Sequence, residues 1–234
     1  MQAVILAAGE GKRMRPLTLT RPKPMVEVAG KPLLAHIIDA LPPEIDEVIL
    51  VIGYKREAIR EYFGNEYGGR RITYVEQTEP LGTGHALHLA RPHIRGRFLF
   101  MFADDLHGPE DLAEALRHPL AILATRHEDP KRFGVIEVSE DGRLIGIEEK
   151  PAEPRSNLVS TGAMVLDERI FGYELERHEN GEYYLTSPLA RLAEEHPVMV
   201  VEQGFWVPLA YPEDVEAAER ILAERAAVEG SSAA

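Results

Sequence analysis

Met1-Gln-Ala-Val-Ile-Leu-Ala-Ala-Gly9-Glu-Gly11-Lys-Arg13-Met-Arg-Pro16-Leu-Thr-Leu-Thr-Arg21-Pro22-Lys23-Pro24-Met25 opens the chain. Its apolar run, Ala3 to Ala8, has strand length and holds Val4, Ile5 and Leu6 in succession, as a strand buried on both faces does. The run stops at Gly9-Glu10-Gly11. Two glycines two apart let the backbone turn sharply and present its N–H groups to an anion. Lys12, Arg13, Arg15, Arg21 and Lys23 follow. A strand emptying into a glycine turn and then a cationic loop suits a polyphosphate. The spacing is neither the Walker pattern nor Gly-x-Gly-x-x-Gly, because position 14 is Met. Pro16, Pro22 and Pro24 argue against a long helix, so the cations are expected on an extended, restricted loop.

Outward from this stretch the chain alternates helix and strand. Lys31 to Leu41 reads as a helix with Pro32 in its first turn. Val48-Ile-Leu-Val-Ile52 is a second strand, Lys55 to Phe63 a short helix, and Arg71 to Glu76 a third strand. This is a doubly wound α/β pattern. Ligands in such sheets sit beyond the carboxyl ends of the strands. The Gly9–Gly11 loop and the segment Gln77-Thr-Glu-Pro-Leu-Gly82-Thr83-Gly84-His85 are therefore expected to face one crevice.

The bulk numbers exclude several classes. The chain has 234 residues and a formal net charge of −13, which disfavours nucleic-acid and anionic-membrane partners. It has no cysteine, hence no disulfide, thiolate nucleophile or Cys-ligated zinc. No stretch approaches the ~20 apolar residues of a membrane span, and the amino end lacks a signal-peptide layout. A cytoplasmic protein is the expectation.

Three later segments carry chemistry. Gln77 offers a donor and an acceptor to a pyrimidine edge. Gly82 and Gly84 clear space for a flat base, and Thr83 is placed to cap the helix from Gly84 to Ala90; a plain loop and cap is the alternative. His85 and His88 read as helix-surface residues, and His36 as a structural one. The strand Arg97 to Phe102 delivers Ala103-Asp104-Asp105, hard oxygen ligands suited to Mg²⁺ with phosphates, or else a turn pair. Phe133-Gly134-Val135 opens a strand to Val138, and an Asp141-Gly142 hairpin returns through Leu144 to Ile147. Glu149-Lys150 offers a carboxylate for sugar hydroxyls and a point charge for phosphate, or is solvated charge. A strand from Ala163 to Leu166, a helix from Thr186 to about Glu195, a strand from Pro197 to Glu202 and a helix to about Val228 complete the pattern.

Leu6-Ala-Ala8-Gly9-x-Gly11-x-Arg13-Met-x-Pro16-Leu-Thr18 with Pro22-Lys23-Pro24-Met25 closely resembles the signature of the sugar-1-phosphate nucleotidylyltransferases, the nucleoside-diphosphate-sugar pyrophosphorylases. The resemblance covers residues 1 to 220. Gln77-x-x-Pro-Leu-Gly-Thr-Gly-His-Ala is similar to the family's base-recognition segment, especially in uridylyltransferases acting on N-acetylglucosamine 1-phosphate. The resemblance implies a Rossmann-like three-layer α/β/α fold with a mixed, mostly parallel sheet. It also implies nucleotide contacts from Leu6, Ala8, Gly9, Gly11, Gln77, Gly82 and Thr83, with Arg13 and Lys23 catalytic. Asp104 would hold Mg²⁺. Gly134, Glu149, Lys150, Asn157 and Thr161 would bind the sugar phosphate. Two departures stand out. Ser187 replaces a frequent Asp. Pro208 stands where Trp-x-Asp-x-Gly supplies a second metal-binding Asp, and proline has no side-chain ligand. Asp214 matches only the later, helix-starting Asp.

The expected activity is transfer of a nucleotidyl group from UTP or dTTP to a sugar 1-phosphate, glucose or N-acetylglucosamine 1-phosphate by resemblance. A nucleotide-sugar sensor without turnover and an enzyme for another phosphorylated alcohol are the alternatives. One domain is expected over residues 1–229, nucleotide-binding to 120 and sugar-binding from 121, with a disordered tail at 230–234. There is no room for the hexapeptide-repeat domain of some relatives. Homo-oligomerisation stays open.

Overall fold

The continuous apolar runs make the centre of one sheet. In the computed structural model, which describes the backbone of residues 1–232 and the side chains of residues 1–228, all six residues of Glu47–Ile52 are buried. The strands are β1 Gln2–Ala7, β2 Glu27–Val28, β3 Lys31–Pro32, β4 Glu47–Ile52, β5 Glu66–Tyr67, β6 Arg70–Glu76, β7 Phe98–Phe102, β8 Asp105–His107, β9 Ala121–Arg126, β10 Gly134–Val138, β11 Leu144–Glu149, β12 Leu158–Leu166, β13 Met199–Glu202 and β14 Trp206–Pro208. The helices are α1 Leu33–Asp39, α2 Arg56–Phe63, α3 Thr83–Ala90, α4 Pro109–Ala115, α5 Thr186–Glu195 and α6 Glu213–Ser232.

Ten strands form one sheet in the order β11-β10-β12-β7-β1-β4-β6-β5, with β9 paired to β12 and β13 to β9. The pairs β1–β4, β1–β7 and β4–β6 are parallel. Alternate residues of β1 enter two cores: Ala3, Ile5 and Ala7 pack with α1, α2, α4 and α6, and Val4 packs with α3 and α5. Helices thus cover both faces, giving the expected α/β/α layering with a mixed, mostly parallel sheet.

The two ends of the parallel strands differ. At the amino ends Gln2 Nε2 donates to Glu47 Oε2 (2.9 Å) and to the His93 carbonyl (2.9 Å), and Arg95 closes on Glu47 at 3.0 Å. The carboxyl ends carry the glycine turn, Gln77 and Asp104. β12 is antiparallel to β7 and docks beside it, so one sheet runs through both halves of the sequence. It shifts register between Ser160 and Met164, where Gly162 takes φ +81° and a Cβ would stand 2.3 Å from Phe102 Cδ2.

Several boundaries differ from the sequence reading. Lys31 and Pro32 pair with Glu27 and Val28, so α1 begins only at Leu33. β12 begins at Leu158 rather than Ala163 because pairing with β9 extends it. The short strands β8 and β14 hold too few residues to show a period. α6 continues through residues 230–232, expected as tail, because its backbone ladder propagates once formed. Residues 233 and 234 lie outside the described residues. No helix among the described residues is long and apolar enough to cross a membrane.

Gly162→Ala is expected to destabilise the protein by about 1–3 kcal/mol through overpacking alone, with strain at positive φ added. At Gly172, where a Cβ meets nothing within 4 Å, the same change is expected to shift stability by about 0.5 kcal/mol or less. Urea denaturation of both variants measures the difference.

Candidate active site

The glycine turn is held from below by its neighbours. Leu6 O accepts from Ala103 N (3.1 Å) and Ala8 O from Tyr54 N (3.1 Å), which ties the ends of β7 and β4 to β1. Gly9 is exposed. Gly11 takes φ +61°, and a Cβ there would meet Lys23 Cβ at 2.8 Å. Its carbonyl accepts from Met14 N (2.9 Å) and Thr18 Oγ1 (2.8 Å). The loop beyond is not extended as expected. It folds into three single 3₁₀ turns, Lys12–Met14, Leu17–Leu19 and Lys23–Met25, with Met14 fully buried as their anchor. The prolines permit this because Pro16 and Pro22 precede a turn and Pro24 is the second residue of one, positions where no intrahelical N–H is needed.

This folding sorts the cations. Lys12 and Arg15 turn onto Glu10 at 3.3 and 3.8 Å, and Arg21 onto Glu27 at 3.0 Å. Arg13 has no ion pair among the described residues and lies 5.7 Å from the centre of the Tyr211 ring, which Arg132 approaches at 5.6 Å. Lys23 is 9% exposed, and its Nζ is 3.0 Å from Asp104 Oδ2. Arg13 and Lys23 are thus the two early cations not spent on surface carboxylates.

Asp104 and Asp105 part company. Asp105 Oδ2 accepts from Trp206 Nε1 at 3.0 Å, and the β8–β14 pairing sets Pro208 opposite Asp105. Burial, then the neighbouring Asp104 charge, push the Asp105 carboxyl well above the usual carboxylate range, against Lys23 and Trp206. Asp104 meets Lys23 instead. Its Oδ1 has no hydrogen-bond partner among the described residues, and its side chain is 39% exposed. Among the described residues no three His, Cys, Asp or Glu side chains gather as a metal cage. One free carboxylate oxygen fits a Mg²⁺ that arrives with phosphate oxygens and water, which is how that ion is commonly held; it does not fit a closed protein site.

The segment at residues 77–85 differs from expectation in three ways. Gly82 takes φ +99°, and a Cβ there would meet Tyr183 O at 2.6 Å; a Cβ at Gly84 would meet Leu175 Cδ2 at 2.7 Å. The cleared space is filled by the chain itself, with Tyr183 N donating to Leu81 O and Gly84 N to Tyr183 O, both 2.8 Å. Thr83 does not cap α3: Gly82 holds the N-cap position, and Thr83 Oγ1 faces Leu185 N at 3.4 Å. The Gln77 amide nitrogen is turned into the protein, facing Gly82 O and His85 Nδ1, each at 3.2 Å. His85 is thereby a neighbour of Gln77 rather than a plain surface residue. His88 is half-buried, with Nδ1 3.0 Å from Gly84 O.

On the other side, Gly134 pairs with Glu149 across β10 and β11. Glu149 Oε2 accepts from Thr186 Oγ1 (3.1 Å), Oε1 lies 3.0 Å from Lys150 Nζ, and Lys150 Nζ is 5.6 Å from the Tyr184 ring centre. Asn157 is exposed and accepts from Arg126 Nη1 at 3.1 Å. Thr161 is buried, with Oγ1 3.1 Å from Leu123 O and 3.0 Å from Gln203 Oε1, so its hydroxyl serves the packing of β12 and not a ligand. Phe133 and Trp206 meet edge to face at 5.5 Å, joining two motifs far apart in sequence. Tyr183, Tyr184 and Thr186 had no local signal as site residues. Their contacts to Leu81, Lys150 and Glu149 span long separations, while Tyr184 also meets Asn180 and His178 nearby.

Comparison with known proteins fits this geometry. The model of the nucleotidyl transferase family matches residues 2–224, and the chain belongs to that family. It is 36% identical to the bifunctional protein GlmU of Methanocaldococcus jannaschii over 96% of its own length and 55% of that protein. It spans about half the length of such GlmU relatives. It is also 36% identical to the UTP–glucose-1-phosphate uridylyltransferase AglF of Haloferax volcanii, over 96% of the chain and 97% of AglF. A Bacillus anthracis structure assigned as a glucose-1-phosphate thymidylyltransferase superposes with a TM-score of 0.85 at 24% identity, covering 94% of each chain. A UDP-glucose pyrophosphorylase with UDP-glucose superposes at 0.84 and 22% identity, over 96% of this chain and 98% of that one. These two likenesses concern the fold.

Removing one member of the central ion pair is expected to have unequal effects. Asp104→Asn leaves the buried Lys23 ammonium uncompensated and is expected to cost about 1–3 kcal/mol. Lys23→Met is expected to cost less, because the partly exposed Asp104 keeps access to water. Chemical denaturation of the two variants and of the double variant reads the difference.

Proposed function

We propose that the protein is a sugar-1-phosphate nucleotidylyltransferase that uses UTP or dTTP. The observation that carries the reading is the meeting of Gly11, Lys23 and Asp104 at the carboxyl end of β1. A glycine turn lies directly under a buried lysine, and the lysine faces a carboxylate with one free oxygen. The match to AglF along 97% of its length supports a uridylyl donor and a sugar-phosphate acceptor.

A phosphate oxygen of the sugar 1-phosphate attacks the α-phosphorus of the triphosphate. An oxygen–phosphorus bond forms there, the bond to the β-phosphate bridging oxygen breaks, and pyrophosphate leaves with the electron pair. The attacking oxygen is already anionic, so no Ser, Cys or His nucleophile is needed. The obstacle is bringing anions together, and positioning plus electrostatics lower it. Backbone N–H groups of the Gly9–Gly11 turn receive the triphosphate. Arg13 neutralises the departing pyrophosphate, and Lys23 contacts the reacting phosphates. Glu149 accepts from sugar hydroxyls, and Lys150 balances the sugar phosphate, with Gly134 and Asn157 bordering that pocket. Mg²⁺ bound at Asp104 would neutralise triphosphate charge.

Pro208 favours a second reading, a nucleotide-sugar sensor without turnover, because it withholds a carboxylate opposite Asp105. Pyrophosphate release with Mg²⁺ separates the two. UTP or dTTP with glucose 1-phosphate or N-acetylglucosamine 1-phosphate is expected to release pyrophosphate. Arg13→Ala and Lys23→Ala are expected to lower turnover by about a hundredfold or more, the usual scale for a lost transition-state contact. Nucleotide-sugar binding with no pyrophosphate release from any pair selects the sensor.

A further inference from the structure

Gln77 follows β6 directly and is half-buried. Its amide is held from two sides, by Gly82 O and by His85 Nδ1. A carbonyl only accepts, so the amide nitrogen, and not the oxygen, faces Gly82. That nitrogen has one hydrogen left, and the ring atom beside it is His85 Nδ1. The contact is a hydrogen bond only when Nδ1 is the unprotonated ring nitrogen, with the ring proton on Nε2. Both amide hydrogens are then spent inside the protein. Oε1 has no partner among the described residues, so the group left for a ligand is an acceptor alone.

The clamp is stiff. Gly82 O also accepts from Ala86 N at 3.1 Å, which fixes that carbonyl on the first turn of α3. His85 stands on the same turn. The Tyr183 backbone holds the loop on its other side.

We infer that His85 is a positioning residue that sets base choice by locking Gln77 as an acceptor. Uracil and thymine carry a hydrogen on N3 and satisfy such an acceptor. Cytosine presents a lone pair at N3 and meets oxygen with a lone pair. The Gly82 carbonyl fixes which end of the amide faces inward, and the His85 contact takes the amide hydrogen that would otherwise remain to donate to cytosine N3. The inference rests on the proposed nucleotide site. It adds the residue that makes the site selective.

The test compares UTP and CTP in the full-length protein with Mg²⁺, by calorimetric binding and by kcat/KM for pyrophosphate release. The wild type is expected to prefer UTP. In His85→Ala the UTP-to-CTP ratio is expected to fall by about tenfold or more, the scale of one hydrogen-bonding mismatch. The change is expected in KM, because the base contact is the same before and during reaction. His85→Asn is expected to restore the ratio, since its Oδ1 takes the place of Nδ1 as acceptor. A ratio unchanged in His85→Ala, a ratio not restored by His85→Asn, or a wild type that prefers CTP overturns the inference. Absence of pyrophosphate release from the wild type overturns the nucleotidyl-transfer reading instead. The calorimetric ratios still judge His85 in that case.

Discussion

A lysine placed almost wholly out of water must meet a counter-charge, and in this fold it meets Asp104 across 81 residues of chain. Much of the site follows from that pairing. Gly11 has to be glycine because Lys23 Cβ leans on it. The 3₁₀ turns over residues 12–25 bring the lysine inward, and β7 presents the carboxylate to it. The partner is more than a third exposed, so solvent screens the attraction and its worth as a stabiliser is modest. Its value lies in holding an ammonium, already stripped of most of its water, just past the carboxyl end of β1. In the proposed reaction an incoming phosphate there would find a cation that needs little reorganisation.

The division of labour between two adjacent carboxylates comes from the same neighbourhood. Trp206 takes Asp105, to which the pairing of β8 with β14 brings it close, and Lys23 takes Asp104. Pro208 ends that short ladder. It offers no side-chain oxygen, so the proposed Mg²⁺ would have Asp104 and the phosphates themselves as its ligands.

The central strands were legible because parallel strands covered on both faces read as unbroken apolar runs, as Val48 to Ile52 does. Asp104 was singled out by its place just after the apolar run of residues 98–102, and Lys23 and Gln77 by motifs of the family resemblance. What could not be read were contacts made by backbone across long separations. Gly82 looked like a space for a base and is a space for Tyr183. Thr161 belonged to a motif and is buried under β9. Helix periodicity put His85 on a surface, and the fold turned that surface toward Gln77. The start of α1 was misplaced because Pro32 is as compatible with a strand end as with a first helical turn.

Residues 182–186 pack against the loop at residues 81–84 through Tyr183, and against Lys150 and Glu149 through Tyr184 and Thr186. These five residues form a party wall between the part of the chain proposed for the nucleotide and the part proposed for the sugar phosphate. With guests on both sides of such a wall, any influence of the first on the affinity of the second returns with equal size and sign.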